Sequence, residues 1–251
     1  MRSAQRGFSL LELAVVIGTV GVLAAAAVAT SSGRTLRSEF TELALQQRLA
    51  QAVIAFAQRN HRLPCPDSNG NGLENCTAGV ILGGVPFQSL EVSVAGGAGS
   101  ALARSYMYGV YRQADADAAD DADLAVLKER TSNEAGDLGY LARNDLVMAL
   151  RNAHRAARAT TQLMVAPLKI EGAETCVSKG TNVAFALVYA GQRDADRVSP
   201  VTDYDGANGG LVWPHGSIGT CIENPSVGRA ERYDDTVIAV SFTELLGYLI
   251  R

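Results

Sequence analysis

The sequence predicts an α+β fold with an N-terminal anchor, and three observations predict it. An apolar run from Phe8 to Ala29 carries a single charge, Glu12. From Thr35 to Asn60 apolar residues then recur three and four apart, the period of one helix face. Three later segments, 163–170, 182–190 and 236–242, are rich in β-branched, aromatic and other apolar residues and read as sheet.

The apolar run is about 22 residues, or about 33 Å as a helix, enough to cross a bilayer core. Arg2 and Arg6 precede it, which would keep the N-terminus in the cytoplasm and send the rest of the chain outside. A carboxylate inside such a run is expensive and requires a partner, so Glu12 should have one. A cleaved secretory signal would place its small-residue site after the run, as Ala24-Ala25-Ala26-Ala27 could. An ordinary single-span anchor would explain the hydrophobicity. Neither alternative explains a glycine before the run together with a glutamate within it.

The stretch Arg6-Gly7-Phe8-Ser9-Leu10-Leu11-Glu12 resembles the start of the type IV prepilin family, which includes type IV pilins and type II secretion pseudopilins. The resemblance covers roughly the first fifty residues. It implies cleavage after Gly7 by a prepilin peptidase, N-methylation of Phe8, and pairing of Glu12 with the N-terminal amine of a neighbouring subunit. It also completes the expected fold: a long N-terminal transmembrane and amphipathic helix packed on an antiparallel-sheet, pilin-like globular domain. The expected divisions are a leader at 1–7, a transmembrane helix at 8–30, its amphipathic continuation at 31–61 and a periplasmic or extracellular domain at 62–251. The expected location is the bacterial inner membrane, single-pass with the C-terminal domain in the periplasm, and then a pilus or pseudopilus.

Along the second part of the helix, Leu36, Phe40, Leu43, Gln47 and Ala50 mark one face. Leu45, Leu49, Ala52, Val53 and Phe56 mark an overlapping one. Leu63-Pro64-Cys65-Pro66 ends it, because proline removes a donor and restricts its neighbour. Gly83-Gly84-Val85-Pro86-Phe87 reads as a loop and 106–112 as a strand. The Ala/Asp tract 115–123 reads as a solvated loop or a helix start. Asn144 is placed to cap a helix reaching about Ala159, with Leu146, Val147, Leu150 and Ala153 inward. A final helix is expected over 243–250.

Four cysteines in an exported chain suggest disulfides. Three connectivities are open; the favoured one pairs Cys65 with Cys76 and Cys176 with Cys221. A four-cysteine zinc site is disfavoured because no Cys-x-x-Cys pair is present. Asp67-x-Asn69-x-Asn71-Gly72 begins like a calcium loop, with oxygen side chains at alternate positions and glycine at the turn. The closing glutamate of such a loop is missing, Ala78 standing at its place, so a disulfide-closed turn is preferred. No other cofactor is expected. The acidic, glycine-rich region from Gly191 to Gly206 is a weaker candidate for a second calcium site or a partner-facing loop. Leu63-Pro64-Cys65-Pro66-Asp67 and Tyr233-Asp234-Asp235-Thr236-Val237 also look like a pattern of large minor pilin-like proteins, which implies a structural role for both. Asp234-Asp235 could be an acid–base or metal pair, with a strand-leading turn or subunit contact preferred.

Enzyme chemistry finds little foothold. His61, His154 and His215 lack metal-ligand spacing, and no His-Glu-x-x-His, Gly-x-Ser-x-Gly or phosphate-loop motif occurs. The chain is therefore expected not to be an enzyme. The net charge of −4 disfavours a generally basic nucleic-acid surface. Arg151, Arg155 and Arg158 could form a small basic stripe, but a solvated helix face is preferred. The leading expectation is a minor pilin-like structural subunit whose partners are a prepilin peptidase, other pilin or pseudopilin subunits and, before assembly, the inner membrane. The alternatives are a type II secretion pseudopilin and a filament-borne adhesin or DNA-binding module.

Overall fold

The computed structural model describes residues 20, 41–77, 79–131, 143–168, 176–191, 194–195, 197, 204–214, 216–217 and 221–250. The chain divides into two units, 1–45 and 46–251. Helix α1 covers 41–60. Gln46, Leu49, Ala50, Val53, Phe56 and Ala57 are buried along it, the three-and-four stripe expected of an amphipathic helix. Gln47, placed on the inner face by the spacing, is exposed.

The expected transmembrane helix is corrected here. Near the N-terminus the described helix is 41–60, and among the described residues no helix is long and apolar enough to cross a membrane. The reason is composition, because about 30 Å of helix would suffice in length. Glu42, Arg48, Gln51, Gln58 and Arg59 interrupt the apolar surface of α1, and only one stripe is apolar. This finding also overturns the expected single-pass location in the inner membrane. The segment on which that expectation rested, 8–30, lies outside the described residues except for Val20.

The main sheet has strand order β1-β2-β5-β9, all antiparallel: β1 Leu82–Gly84, β2 Tyr106–Val110, β5 Phe185–Tyr189 and β9 Thr236–Val240. An α+β fold with an antiparallel sheet is thus as expected. Both central strands are buried at every position, so the sheet is covered on both faces. Met107, Ala186 and Val188 point to one face and pack with Leu82, Leu163, Tyr204, Leu211 and Ile222. Tyr106, Tyr108, Phe185 and Tyr189 alternate to the other face, where Tyr106 stacks on Tyr189 at 4.8 Å between ring centroids.

Gln46 ties α1 to this sheet. Its Nε2 donates to the carbonyls of Leu187 (3.1 Å) and Thr236 (2.9 Å), and its Oε1 accepts from Thr236 Oγ1 (3.0 Å). A buried amide with these bonds fixes the register of helix on sheet, which apolar contact alone would leave loose. α1 ends where His61 takes a positive φ of 53°, a helix-terminating conformation.

A smaller sheet has the order β4-β3-β8 (Thr181–Asn182, Met164–Val165, Cys221–Ile222), with β3 and β8 parallel. β6 (Leu211–Val212) and β7 (Gly216–Ser217) form a hairpin. The helices after α1 are α2 (Ala101–Arg104), α3 (Arg143–Arg155), α4 (Cys176–Lys179) and α5 (Phe242–Ile250), and α3 packs on α5. α5 is capped by Ser241, whose Oγ accepts the Glu244 amide. Phe242, Leu245 and Leu249 form its buried stripe.

The strand expected over 182–190 breaks in two around Val183 and Ala184, and the α3 helix ends at Arg155 rather than near Ala159. β1 replaces an expected loop. Its glycines read as punctuation, yet a Cβ on Gly83 would sit 2.9 Å from Pro66 Cβ and 3.0 Å from the Asp67 carbonyl oxygen. The strand needs glycine because the Pro66-Asp67 segment crosses against it, with Asp67 and Gly84 exchanging backbone hydrogen bonds.

Both expected disulfides form, Cys65–Cys76 and Cys176–Cys221, with sequence separations of 11 and 45. In the chain-entropy account the longer loop contributes about 4 kcal/mol and the shorter about 3 kcal/mol. Replacing Cys176 and Cys221 together by alanine should therefore lower the unfolding midpoint more than replacing Cys65 and Cys76. Chemical denaturation of the two double variants measures the order.

Candidate functional site

Gly7, Phe8 and Glu12, the expected processing and assembly residues, lie outside the described residues. Among the described residues of the 46–251 unit, three polar centres stand out.

The first is the loop 62–76. Asp67, 1% exposed, turns its carboxylate on its own loop: Oδ1 accepts the amides of Asn69 (3.1 Å) and Gly70 (2.7 Å), and Oδ2 that of Gly72 (2.6 Å). Asn69 and Asn71 each accept the amide two residues on. Backbone donors thus engage the oxygens proposed for calcium, forming a stack of Asx turns. Glu74, the one glutamate in the loop, takes both guanidinium arms of Arg62 (2.7 and 2.6 Å) and the Cys65 amide (3.0 Å). Burial works to raise the Glu74 carboxyl; the Arg62 and Cys65 hydrogen bonds and the Arg62 charge together outweigh it and hold the group below its ordinary value. The arrangement serves as a rigid, disulfide-closed turn. Ala78 lies outside the described residues.

The second centre is in the Ala/Asp tract. The expectation of a solvated loop holds for Asp117 and Asp120 but not for Asp121 and Asp123, which are buried. Arg130, itself buried, donates through Nε to Asp121 Oδ1 (3.0 Å), and Lys128 Nζ donates to Asp121 Oδ2 (3.1 Å). Arg112 Nε meets Asp123 Oδ2 at 3.0 Å. Asp145, at the start of α3, accepts the amides of Arg130 (2.7 Å) and Thr131 (2.9 Å). The network pins the 121–131 loop to α3.

The third centre joins two segments distant in sequence. Asp205 precedes a 3-10 turn, Gly206–Asn208, and Asp234 and Asp235 lead into β9. All three carboxylates are buried, and each offers an oxygen within 4.8 Å of the others. Asp235 Oδ2 accepts the Asp205 amide (3.0 Å) and Asn208 Nδ2 (2.9 Å). Asp205 Oδ1 accepts the Ala195 amide (2.9 Å) and Oδ2 the Asp234 amide (2.8 Å). Asp235 Oδ1 is buried with no hydrogen-bond partner among the described residues. Gly191, at φ +72°, backs directly onto Asp234; a Cβ there would stand 2.6 Å from both carboxylate oxygens. Burial pushes the Asp235 carboxyl up to about 8; bonds from Asn208 and the Asp205 amide oppose the rise, and the charges of Asp205 and Asp234 add to it.

Comparison with family models, curated proteins and solved structures yields no match. The site is therefore read from its own geometry.

The remaining candidates separate. Cys65 is bonded to Cys76 and offers no free thiol. Arg151 and Arg155 line an open cleft with Leu150, His154 and Phe242, whereas Arg158 donates to the Gly180 carbonyl (2.9 Å). The three arginines thus serve different surroundings. Trp213 is partly buried, with the Arg104 guanidinium 4.9 Å from its ring centre, and His215 lies outside the described residues. Sequence reasoning missed Gln46, the Asp121–Arg130 pair and the convergence of Asp205 with Asp234-Asp235. The last had a signal: both acidic segments stood out, but nothing in their spacing brought them together.

Proposed function

We propose that this chain is a structural assembly protein, a minor type IV pilin-like subunit cut after Gly7, N-methylated at Phe8 and added to a filament through Glu12. One observation carries the reading: Arg6-Gly7-Phe8-Ser9-Leu10-Leu11-Glu12, where a glycine stands before an apolar run and a lone carboxylate stands five residues into the processed chain. The charge has a purpose in that setting, since a new amine at Phe8 of a neighbour supplies its counter-ion. The two disulfides in the 46–251 unit support it, because such bonds persist in oxidising compartments outside the cytoplasm.

Processing is the first test. When the full chain is produced together with a prepilin peptidase, mass spectrometry of its N-terminus should find methylated Phe8. Gly7→Val should leave the chain uncut. Normal trimming of Gly7→Val, or trimming elsewhere in the native sequence, contradicts the reading.

A further inference from the structure

We propose that Asp205, Asp234 and Asp235 hold a hard divalent cation of the calcium type, which clamps the segment leading into β9 onto the Gly206–Asn208 turn. Two oxygens bound to one calcium at its usual distances stand no more than about 5 Å apart. The three carboxylates meet that limit, with one oxygen from each inside 4.8 Å. An acidic group of this kind could be a structural cluster satisfied by the chain's own donors. Asp235 argues otherwise. It is 1% exposed, its Oδ2 is already anchored by the Asp205 amide and Asn208, and its Oδ1 is left buried without a hydrogen-bond partner among the described residues. A buried oxygen in that state is expensive, and a cation would satisfy it.

The donor chemistry sets the class of ion. Three carboxylates with no sulfur or imidazole favour calcium, magnesium or manganese over zinc or copper. The backbone is also shaped for close carboxylates. Gly191 leaves room for Asp234 where any side chain would collide, and the Asp205 and Asn208 bonds hold Asp235 in place from behind. This site differs from the Asp67 loop, where among the described residues no carboxylate oxygen is left buried without a hydrogen-bond partner. It is also independent of the filament reading.

Calcium binding to the chelator-treated full chain tests the proposal, by isothermal titration at neutral pH and by the thermal midpoint with and without calcium. The expected result is saturable binding of one ion and a raised midpoint. Asp235→Asn should abolish both while keeping the native circular dichroism, since asparagine preserves shape and the Asn208 contact can re-form. Should that variant fail to fold, Asp234→Asn, at the more accessible edge of the cluster, carries the same expectation. Asn71→Ala, in the 62–76 loop, should bind as the native chain does. Absence of calcium binding overturns the proposal. So does binding that survives the aspartate replacements, or binding that Asn71→Ala removes.

Discussion

Glu12→Ala should leave cleavage after Gly7 intact and remove the chain from assembled filaments. The two steps depend on different chemistry. A peptidase reads the bond after Gly7, whereas incorporation on the proposed reading requires the Glu12 carboxylate to meet a Phe8 amine of the neighbouring subunit. In an apolar setting, removing one member of an ion pair strands the other. Breaking a buried pair in this way costs about 3–5 kcal/mol. At 1.4 kcal/mol per tenfold, that is about a hundredfold or more in the equilibrium for adding a subunit. Glu12→Gln should be nearly as defective, because it keeps the shape and loses the charge. Quantifying processed chain inside and outside the filament fraction reads the effect. Normal incorporation of Glu12→Ala would sink the pairing role.

The largest effect on stability is expected at Arg130. Its guanidinium holds Asp121 through Oδ1 and also donates to the backbone carbonyls of Asp121, Lys128 and Asp123. Arg130→Ala leaves the buried Asp121 with Lys128 as its one cation among the described residues, beside the Asp115 and Asp123 amides, and several carbonyls without their donor. The expected loss is about 3–5 kcal/mol, the range for a buried pair deprived of one partner. The pH dependence has a definite sign. Burial works to raise the Asp121 carboxyl, but hydrogen bonds from Arg130, the Asp115 amide and Lys128, with the Arg130 charge, together hold it below its ordinary value. A carboxyl lowered on folding stabilises the fold above its unfolded pKa of about 3.9, and that contribution is lost as pH falls through the folded value. Native protein should therefore lose stability on acidification below about pH 4, and Arg130→Ala should show a smaller change over the same window. Urea midpoints at successive pH values measure both. An unchanged midpoint in the variant at pH 7 would contradict the structural role of the pair.

What could be seen in the sequence followed local rules. The buried stripe of α1 through Leu49, Val53 and Phe56 is written in its spacing, as are β2, β9 and the final helix. Of the three disulfide connectivities the sequence leaves open, the favoured one, a local and a distant pair, is the one that forms. What could not be seen depended on approach between distant segments. β1 is glycine-rich because Pro66 and Asp67 cross it, and its sequence alone looks like a loop. Asp121 and Asp123 sit in a tract that reads as solvated; only the fold brings Arg130 and Arg112 against them. Asp205 and Asp235 are thirty positions apart and meet through the Gly206–Asn208 turn. The apolar run reads as a membrane-crossing helix, whereas the described helix near the N-terminus, 41–60, keeps charged and amide side chains around an apolar stripe.

The central claim is that this chain is a processed filament subunit. The most direct measurement is mass spectrometry of filaments sheared from the native cells. The account predicts a mature chain beginning at methylated Phe8 in the sheared fraction, together with the other subunits. A chain that retains Met1 to Gly7 there, or a processed chain that never occurs in the sheared fraction, would contradict it; the second result would point instead to a secretion pseudopilin.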